Sequence, residues 1–164
     1  MFEGVYYVMT KTFSLDVLIL SIASVMLVIT LLYAHMLMDF DADKCANKKT
    51  ICLKLKTKEK ALRFFLVFYI ASYILMGYLA WNSGNYLYLS TFLTLPLVID
   101  LYKSLELYNK DKTVLPKIHF WHYPLDNWNE RSKNKNAPFY FRFFVARNIA
   151  NLFLLLTCIA IIFG

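Results

Sequence analysis

Three aspartates, Asp39, Asp41 and Asp43, stand within five residues. Seven lysines follow closely: Lys44, Lys48, Lys49, Lys54, Lys56, Lys58 and Lys60. On a helix Asp39 and Asp43 share one face, one turn apart, whereas Asp41 points elsewhere. Two such carboxylates can bind one hard cation, and magnesium typically takes one or two carboxylates together with water and phosphate oxygens. Acids that bind a cation, beside lysines that bind phosphate, suggest a site for a metal-bridged diphosphate.

Two other roles for the acid cluster, and a zinc site beside it, compete with this interpretation. A calcium loop of the EF-hand type is excluded, because its sixth position would be Lys44 instead of glycine and its twelfth Thr50 instead of glutamate. A zinc site formed by Cys45, Cys52 and His35 matches no familiar ligand spacing. A solvated acidic turn that merely ends a helix stays open, since carboxylates at a membrane border need no special reason.

The elements that must position these residues are apolar. The chain has 164 residues, of which 59% are hydrophobic and 18% aromatic, and this composition is typical of a membrane protein. Since a helix needs about 20 apolar residues to cross a bilayer, we predict an all-α, multi-pass transmembrane helical bundle, a single membrane domain over residues 1–164. The four predicted spans are about 17–38, 64–81, 86–101 and 149–163, with Pro96 interrupting the third.

The basic residues predict an orientation. Of 18 lysines and arginines, eight lie between the first and second predicted spans and nine between the third and fourth. Positive residues favour the cytoplasmic side, so we predict cytoplasmic loops at about 39–63 and 102–148, with both termini outside. The net charge of +7 then reflects topology and attraction to the lipid bilayer, and no nucleic-acid partner is predicted.

Local signals place the ends of the helices. Ser14 is expected to cap the first long helix and Thr57 the second. The third helix is expected to continue past the membrane surface, through Lys103 toward Tyr108. His119 and His122 lie three residues apart, but a pair without a third ligand more often has an interfacial structural role than a metal-binding one.

The stretch His35–Leu55 resembles the second aspartate-rich motif of the UbiA-type membrane prenyltransferases. Asp39 and Asp43 match the two principal acids of that motif and Asp41 its intermediate acid, while Lys48 and Thr50 match directly. Three more segments are similar to the family, most closely to its 1,4-dihydroxy-2-naphthoate branch: Tyr6–Thr10, Leu93–Leu97 and Ala146–Asn148.

The chain also departs from the family. His35, Met38 and Asn47 replace the usual asparagine, arginine and glycine of the motif. Nothing in the sequence matches the family's first aspartate motif. Family members have about nine spans, and the four predicted here resemble the last four, so the resemblance implies a C-terminal half whose N-terminal half is a missing partner.

The resemblance implies a magnesium-dependent enzyme of a bacterial inner membrane. It would transfer a polyprenyl group from a polyprenyl diphosphate to an aromatic acceptor, 1,4-dihydroxy-2-naphthoate in menaquinone biosynthesis. Asp39 and Asp43 would be the magnesium ligands and catalytic acids, with Asp41 as an additional ligand. Lys44 and Lys48 would contact the diphosphate, or be ordinary inner-surface lysines. Arg147 would bind the acceptor, or anchor its helix at the headgroups. The alternative is a small non-catalytic integral membrane protein, an inactive remnant of the family.

Overall fold

The computed structural model describes residues 2–164, with side chains from residue 3 onward, and this part of the chain contains helices and no strand. The α-helices are α1 (Phe2–Thr10), α2 (Leu15–Met38), α3 (Phe40–Cys45), α4 (Ile51–Lys54), α5 (Lys58–Ser83), α6 (Leu95–Lys110), α7 (Trp128–Arg131) and α8 (Ala137–Phe163). Two 3-10 helices cover Tyr86–Thr94 and Phe120–His122. The predicted all-α class is therefore confirmed.

Three helices, α2, α5 and α8, are long and apolar enough to cross a membrane. Their outward surfaces carry exposed apolar side chains, among them Val25, Val28 and Leu32 on α2 and Val67, Ile70 and Ile74 on α5. Large exposed apolar surfaces on a polypeptide mark contact with lipid or with another protein. The structure is therefore compatible with a multi-pass membrane protein.

The caps predicted from the sequence are confirmed. The Ser14 hydroxyl accepts a hydrogen bond from the Val17 amide at 3.4 Å, which satisfies a free donor in the first turn of α2. Thr57 does the same for α5, since its hydroxyl accepts from the Lys60 amide at 3.3 Å. At the other end of α5, Gly84 terminates the helix with φ = 69°, a conformation that favours glycine.

The third apolar segment differs from its prediction. Residues Tyr86–Thr94 wind as a 3-10 helix, and α6 begins at Leu95 with Pro96 in its first turn. Proline is tolerated there, because the first amides of a helix have no intrahelical acceptor. Pro96 therefore starts a helix instead of interrupting one. As predicted, α6 continues past Lys103 and Tyr108 to Lys110.

The core lies where α2 and α5 pack against each other. Helix α8 packs against α2 and against the 3-10 helix Tyr86–Thr94. Leu27, Phe65 and Phe153, one from each long helix, are fully buried. Polar groups in this interior are bonded across elements: the Ser72 hydroxyl donates to the Ala23 carbonyl at 3.1 Å. Helix α8 begins at Ala137, so residues 137–148, which the sequence predicts to lie in the second basic loop, are helical and continuous with the last predicted span.

Candidate functional site

The acid cluster lies just after α2, where the chain bends and continues as α3. Asp39 ends α2, and the Asp43 amide donates to the Asp39 carbonyl at 2.8 Å, so the helical turn is kept across the junction. The two principal acids are therefore one turn apart, as the sequence predicts. The intermediate acid, Asp41, belongs to a different set of contacts.

Each acid lies next to a different basic side chain. The Asp43 side chain is only 7% exposed, and its Oδ1 accepts from Nζ of Lys48 at 2.7 Å. The half-exposed carboxylate of Asp39 lies 3.2 Å from Nδ1 of His35, one turn earlier on α2. His35 is one of the three residues at which the sequence departs from the motif it resembles, and it lies beside Asp39.

Asp41 connects two segments that are distant in sequence. Its Oδ2 lies 2.7 Å from Nζ of Lys58, at the start of α5, and 2.9 Å from Nζ of Lys112, just beyond α6. Hydrogen bonds from Lys58 and then Lys112 hold the pKa of the Asp41 carboxyl below its usual range, and they outweigh the opposing effect of partial burial. Asp41 therefore links α3 to the start of α5 and to the segment just beyond α6.

The acid cluster meets the requirements of magnesium only in part. Among residues 2–164, no group of three or more histidine, cysteine, aspartate or glutamate side chains could hold a metal ion. Asp39 and Asp43 supply two hard carboxylate ligands one turn apart, which is as many as magnesium takes when phosphate oxygens and water complete its shell. The residues fit a magnesium–phosphate pair, and they do not fit a metal held by protein alone. Zinc at Cys45, Cys52 and His35 is excluded by the same finding.

A basic pocket adjoins the cluster. It encloses about 380 Å³ and is lined by Lys44, Lys48 and Lys56, by Asn47, and by the apolar side chains of Phe40 and Leu53. Asn47 has φ = 51°, the left-handed conformation that asparagine tolerates better than most residues. Asparagine at position 47 is therefore compatible with the turn. Both lysines predicted to contact diphosphate, Lys44 and Lys48, line this pocket.

Arg147 lies apart from the acid cluster, on α8. Its guanidinium forms an ion pair with Asp126 and lies 4.9 Å from the ring centroid of Phe144. It also approaches Asn148, whose amide donates to the His122 and Pro124 carbonyls at 2.8 Å. The Arg147 ion pair holds the pKa of Asp126 below its usual range. In this conformation Arg147 connects α8 to the segment Pro124–Asp126, which follows the second 3-10 helix.

Sequence reasoning missed Arg142, the largest fully buried side chain. Its guanidinium donates to three carbonyls, those of Ser104 at 2.8 Å, Pro138 at 2.7 Å and Val114 at 3.0 Å. It also lies 4.7 Å from the ring centroid of Tyr108. An arginine inside the aromatic run Phe139–Phe144 was the available signal, because a charge at an otherwise apolar position needs specific partners.

A second polar cluster surrounds His122, which is 3% exposed. Its Nδ1 accepts from the His119 amide at 3.0 Å, and its Nε2 lies 3.6 Å from Oδ2 of Asp100. Asp100 in turn accepts from the Trp121 indole at 3.2 Å. Burial lowers the pKa of His122, and the neighbouring Asp100 carboxylate only partly opposes this effect. The two histidine rings are neighbours, with centroids 5.6 Å apart, and no third ligand joins them in the described part of the chain.

Comparison of the chain with protein-family models, with curated proteins and with solved structures finds no match in any of the three.

Proposed function

We propose that this chain is the C-terminal part of a UbiA-type prenyltransferase, and that it contributes the second aspartate motif to transfer of a polyprenyl group from a polyprenyl diphosphate to an aromatic acceptor. The supporting observation is the placement of Asp39 and Asp43 one helical turn apart beside the pocket of Lys44, Lys48 and Lys56. Hard carboxylates next to a basic pocket suit a cation paired with a diphosphate.

Within this proposal each site residue has a separate role. Asp39 and Asp43 would hold magnesium, which when bound supplies positive charge against the departing diphosphate. Lys44 and Lys48 would contact the diphosphate oxygens, and Asp41 would keep the segment in place through Lys58 and Lys112. Apolar helix surfaces would hold the prenyl chain. The acceptor we propose is 1,4-dihydroxy-2-naphthoate, in menaquinone biosynthesis, with Arg147 reaching its carboxylate after release from Asp126.

The proposal places the chain in a bacterial inner membrane with four spans and cytoplasmic basic loops. It also requires a partner segment, because only the second acid motif is found in this sequence. Such a segment would carry the first motif and the remaining ligands of the cation.

A second candidate function is a non-catalytic membrane protein derived from the same family. The observation that favours it is that each acid already has a basic neighbour. Asp39 lies beside His35 and Asp43 beside Lys48, while two lysines approach Asp41. These pairs satisfy the carboxylates without any ligand. An inactive relative that kept the fold would have this arrangement.

An assay of prenyl transfer in membranes distinguishes the enzymatic function from the non-catalytic one. The DNA upstream of the Met1 codon is sequenced first, and any coding segment with the first acid motif is expressed together with this chain. Membranes then receive magnesium, a polyprenyl diphosphate and 1,4-dihydroxy-2-naphthoate. We expect product, and a loss of about a hundredfold or more when Asp39 or Asp43 becomes asparagine, as for other groups that stabilise developing charge.

The matched control is Asp111→Asn, an exposed aspartate bonded locally to Thr113 and outside the cluster. It should leave the rate unchanged. Equal activity of Asp43→Asn and the unmodified chain would refute the site assignment. No product with any partner segment, although the partner assembles with this chain, would favour the non-catalytic candidate.

A further inference from the structure

A cavity of about 170 Å³ lies between α6, α8 and the loop that joins them, away from the acid cluster. One wall is formed by Asp100, Ser104 and Leu107 of α6, and the opposite wall by Phe141 and Val145 of α8. The loop adds Lys117, His119 and His122, and α6 also adds Lys103. A water occupies about 30 Å³ in the liquid, so the space admits several waters or one small polyatomic ion.

The polar groups around this cavity are mostly hydrogen-bond donors. Ser104 is 3% exposed, and its hydroxyl has no hydrogen-bond partner. A buried hydroxyl without a partner is destabilising, so its presence beside a cavity suggests that an acceptor or donor occupies the space. The Ser104 carbonyl is already occupied by Arg142, which leaves the hydroxyl as the free group.

His122 adds a second donor. Because its Nδ1 accepts the His119 amide at 3.0 Å, the neutral ring carries its proton on Nε2. The Asp100 carboxylate is 3.6 Å from Nε2, which is too far for a good hydrogen bond. Asp100 is engaged instead by the Trp121 indole at 3.2 Å. The Nε2 proton therefore has no close acceptor within the described part of the chain.

The charge around the cavity is positive. Neither Lys103 nor Lys117 forms an ion pair with any residue in 2–164. The acids Asp41, Asp43, Glu106 and Asp126 are paired with other basic side chains. The only acid in the lining is Asp100. Behind the wall, buried Arg142 has carbonyl partners and no carboxylate. A site with two free lysines, two unsatisfied buried donors and one acid attracts an acceptor-rich anion.

From this donor set we infer that the α6–α8 cavity binds a phosphate group, with the Ser104 hydroxyl and His122 Nε2 donating to its oxygens and Lys103 and Lys117 neutralising its charge. Phosphate matches four donors because it offers several strong acceptor oxygens. The group belongs either to a soluble phosphate or to the headgroup of an anionic lipid, since both carry the same acceptor. This site is separate from the pocket of Lys44, Lys48 and Lys56.

Calorimetric titration of the purified chain in a neutral detergent tests the inference. Sodium phosphate is titrated at constant ionic strength against a sodium chloride blank. We expect saturable binding that weakens about tenfold in Ser104→Ala and again in Lys117→Gln, the loss of one hydrogen bond to a charged group in each case. Ser24→Ala and Lys110→Gln are the matched controls, because Ser24 is another buried hydroxyl without a partner and Lys110 is paired with Glu106.

Two further titrations identify the source and the place of the phosphate. Dihexanoyl phosphatidic acid that binds more tightly than inorganic phosphate, and competes with it, would identify a lipid headgroup. Binding of inorganic phosphate alone would identify a soluble ligand. We expect Ser104→Ala to weaken phosphate binding in a Lys48→Gln background as much as in the unmodified chain, because Lys48 lines the other pocket. Loss of all saturable binding in Lys48→Gln alone would place the phosphate in that other pocket and overturn the inference.

Two other results would also overturn it. One is the absence of saturable binding by both probes to a chain whose helical circular dichroism is intact. The other is equal binding by the unmodified chain and the Ser104→Ala/Lys117→Gln double variant. None of these measurements depends on prenyl transfer, so the phosphate site is tested independently of the proposed enzymatic function.

Discussion

Lys112, just beyond α6, places its ammonium 2.9 Å from Oδ2 of Asp41, in the short helix that follows α2. The same oxygen accepts from Lys58 at 2.7 Å. One carboxylate thereby joins the two basic segments that the sequence assigns to the same side of a membrane. The contact fixes the position of the acid-rich segment relative to α6.

The Asp41 contacts predict a dependence of stability on pH. Because the folded pKa of Asp41 lies below the unfolded value of 3.8, its contribution is fully present above that value and is lost as pH falls through the folded pKa. We expect Asp41→Asn to lower the thermal unfolding midpoint in detergent at neutral pH. The difference from the unmodified chain should shrink below about pH 4, as protonation removes the ion pairs.

Glu106→Gln is the control for Asp41→Asn, since Glu106 has one exposed partner one turn away on the same helix. Such pairs contribute about 0.3–0.5 kcal/mol, so this variant should change the midpoint little. A difference for Asp41→Asn that is just as large near pH 3 as at pH 7 would contradict the assignment to its carboxylate.

Arg142 is expected to be the most sensitive charged position. Arg142→Met keeps much of the side-chain volume but removes three charged hydrogen bonds and leaves the Val114 carbonyl, which lies outside any helix, without its donor. Since a hydrogen bond to a charged group contributes about 1.5–3 kcal/mol, we expect a loss of about 3 kcal/mol or more in denaturant titration. Arg63→Met, at an exposed position of α5, should stay within about 0.5 kcal/mol. Similar effects of the two substitutions would show that the three bonds contribute little.

Two glycines of the same region should respond in opposite directions. Gly84 has φ = 69°, so Gly84→Ala should destabilise the protein by about 1–2 kcal/mol. Gly77 lies inside α5 with open space where a Cβ would be, so Gly77→Ala should stabilise by up to about 1 kcal/mol. Unfolding midpoints of the two variants, compared with the unmodified chain, check the pair. A stabilising Gly84→Ala would mean that the turn after α5 differs from the one described.

The proposed orientation can be tested by labelling cysteines. Cys45 is exposed beside the acid cluster, whereas Cys52 is buried. In a Cys158→Ser background, a membrane-impermeant maleimide should label Cys45 in inverted vesicles and not in intact cells. Ser83→Cys in a chain without Cys45 should give the opposite pattern, because Ser83 is exposed at the other end of α5. Labelling of both positions from one side would refute the topology.

Local features of the fold followed from the sequence, and distant contacts did not. The caps at Ser14 and Thr57 depend on residues within three positions, so a short pattern predicts them. The partners of Arg142 lie 28 and 38 residues away on α6 and its loop, where no periodicity points to them. The pairing of Lys112 with Asp41 is of the same kind.

The candidate site was predictable to the same extent. The one-turn spacing of Asp39 and Asp43 is a property of a helix, and the structure has it. The individual partners of the acids depend on how α5 and the end of α6 approach the cluster. The cavity beside Ser104 was not predicted, because its walls come from α6, α8 and the loop between them, and a lone serine in α6 has no distinctive pattern around it.

The tight winding of Tyr86–Thr94 changes how far a short segment can reach. A 3-10 helix rises about 2.0 Å per residue, compared with about 1.5 Å for an α-helix. Nine residues of 3-10 helix followed by the first two turns of α6 therefore extend about 29 Å, close to the ~30 Å hydrocarbon thickness of a bilayer. An α-helix of the same residues would be several ångströms shorter, so in the four-span arrangement that we propose the 3-10 winding would lengthen this short third span.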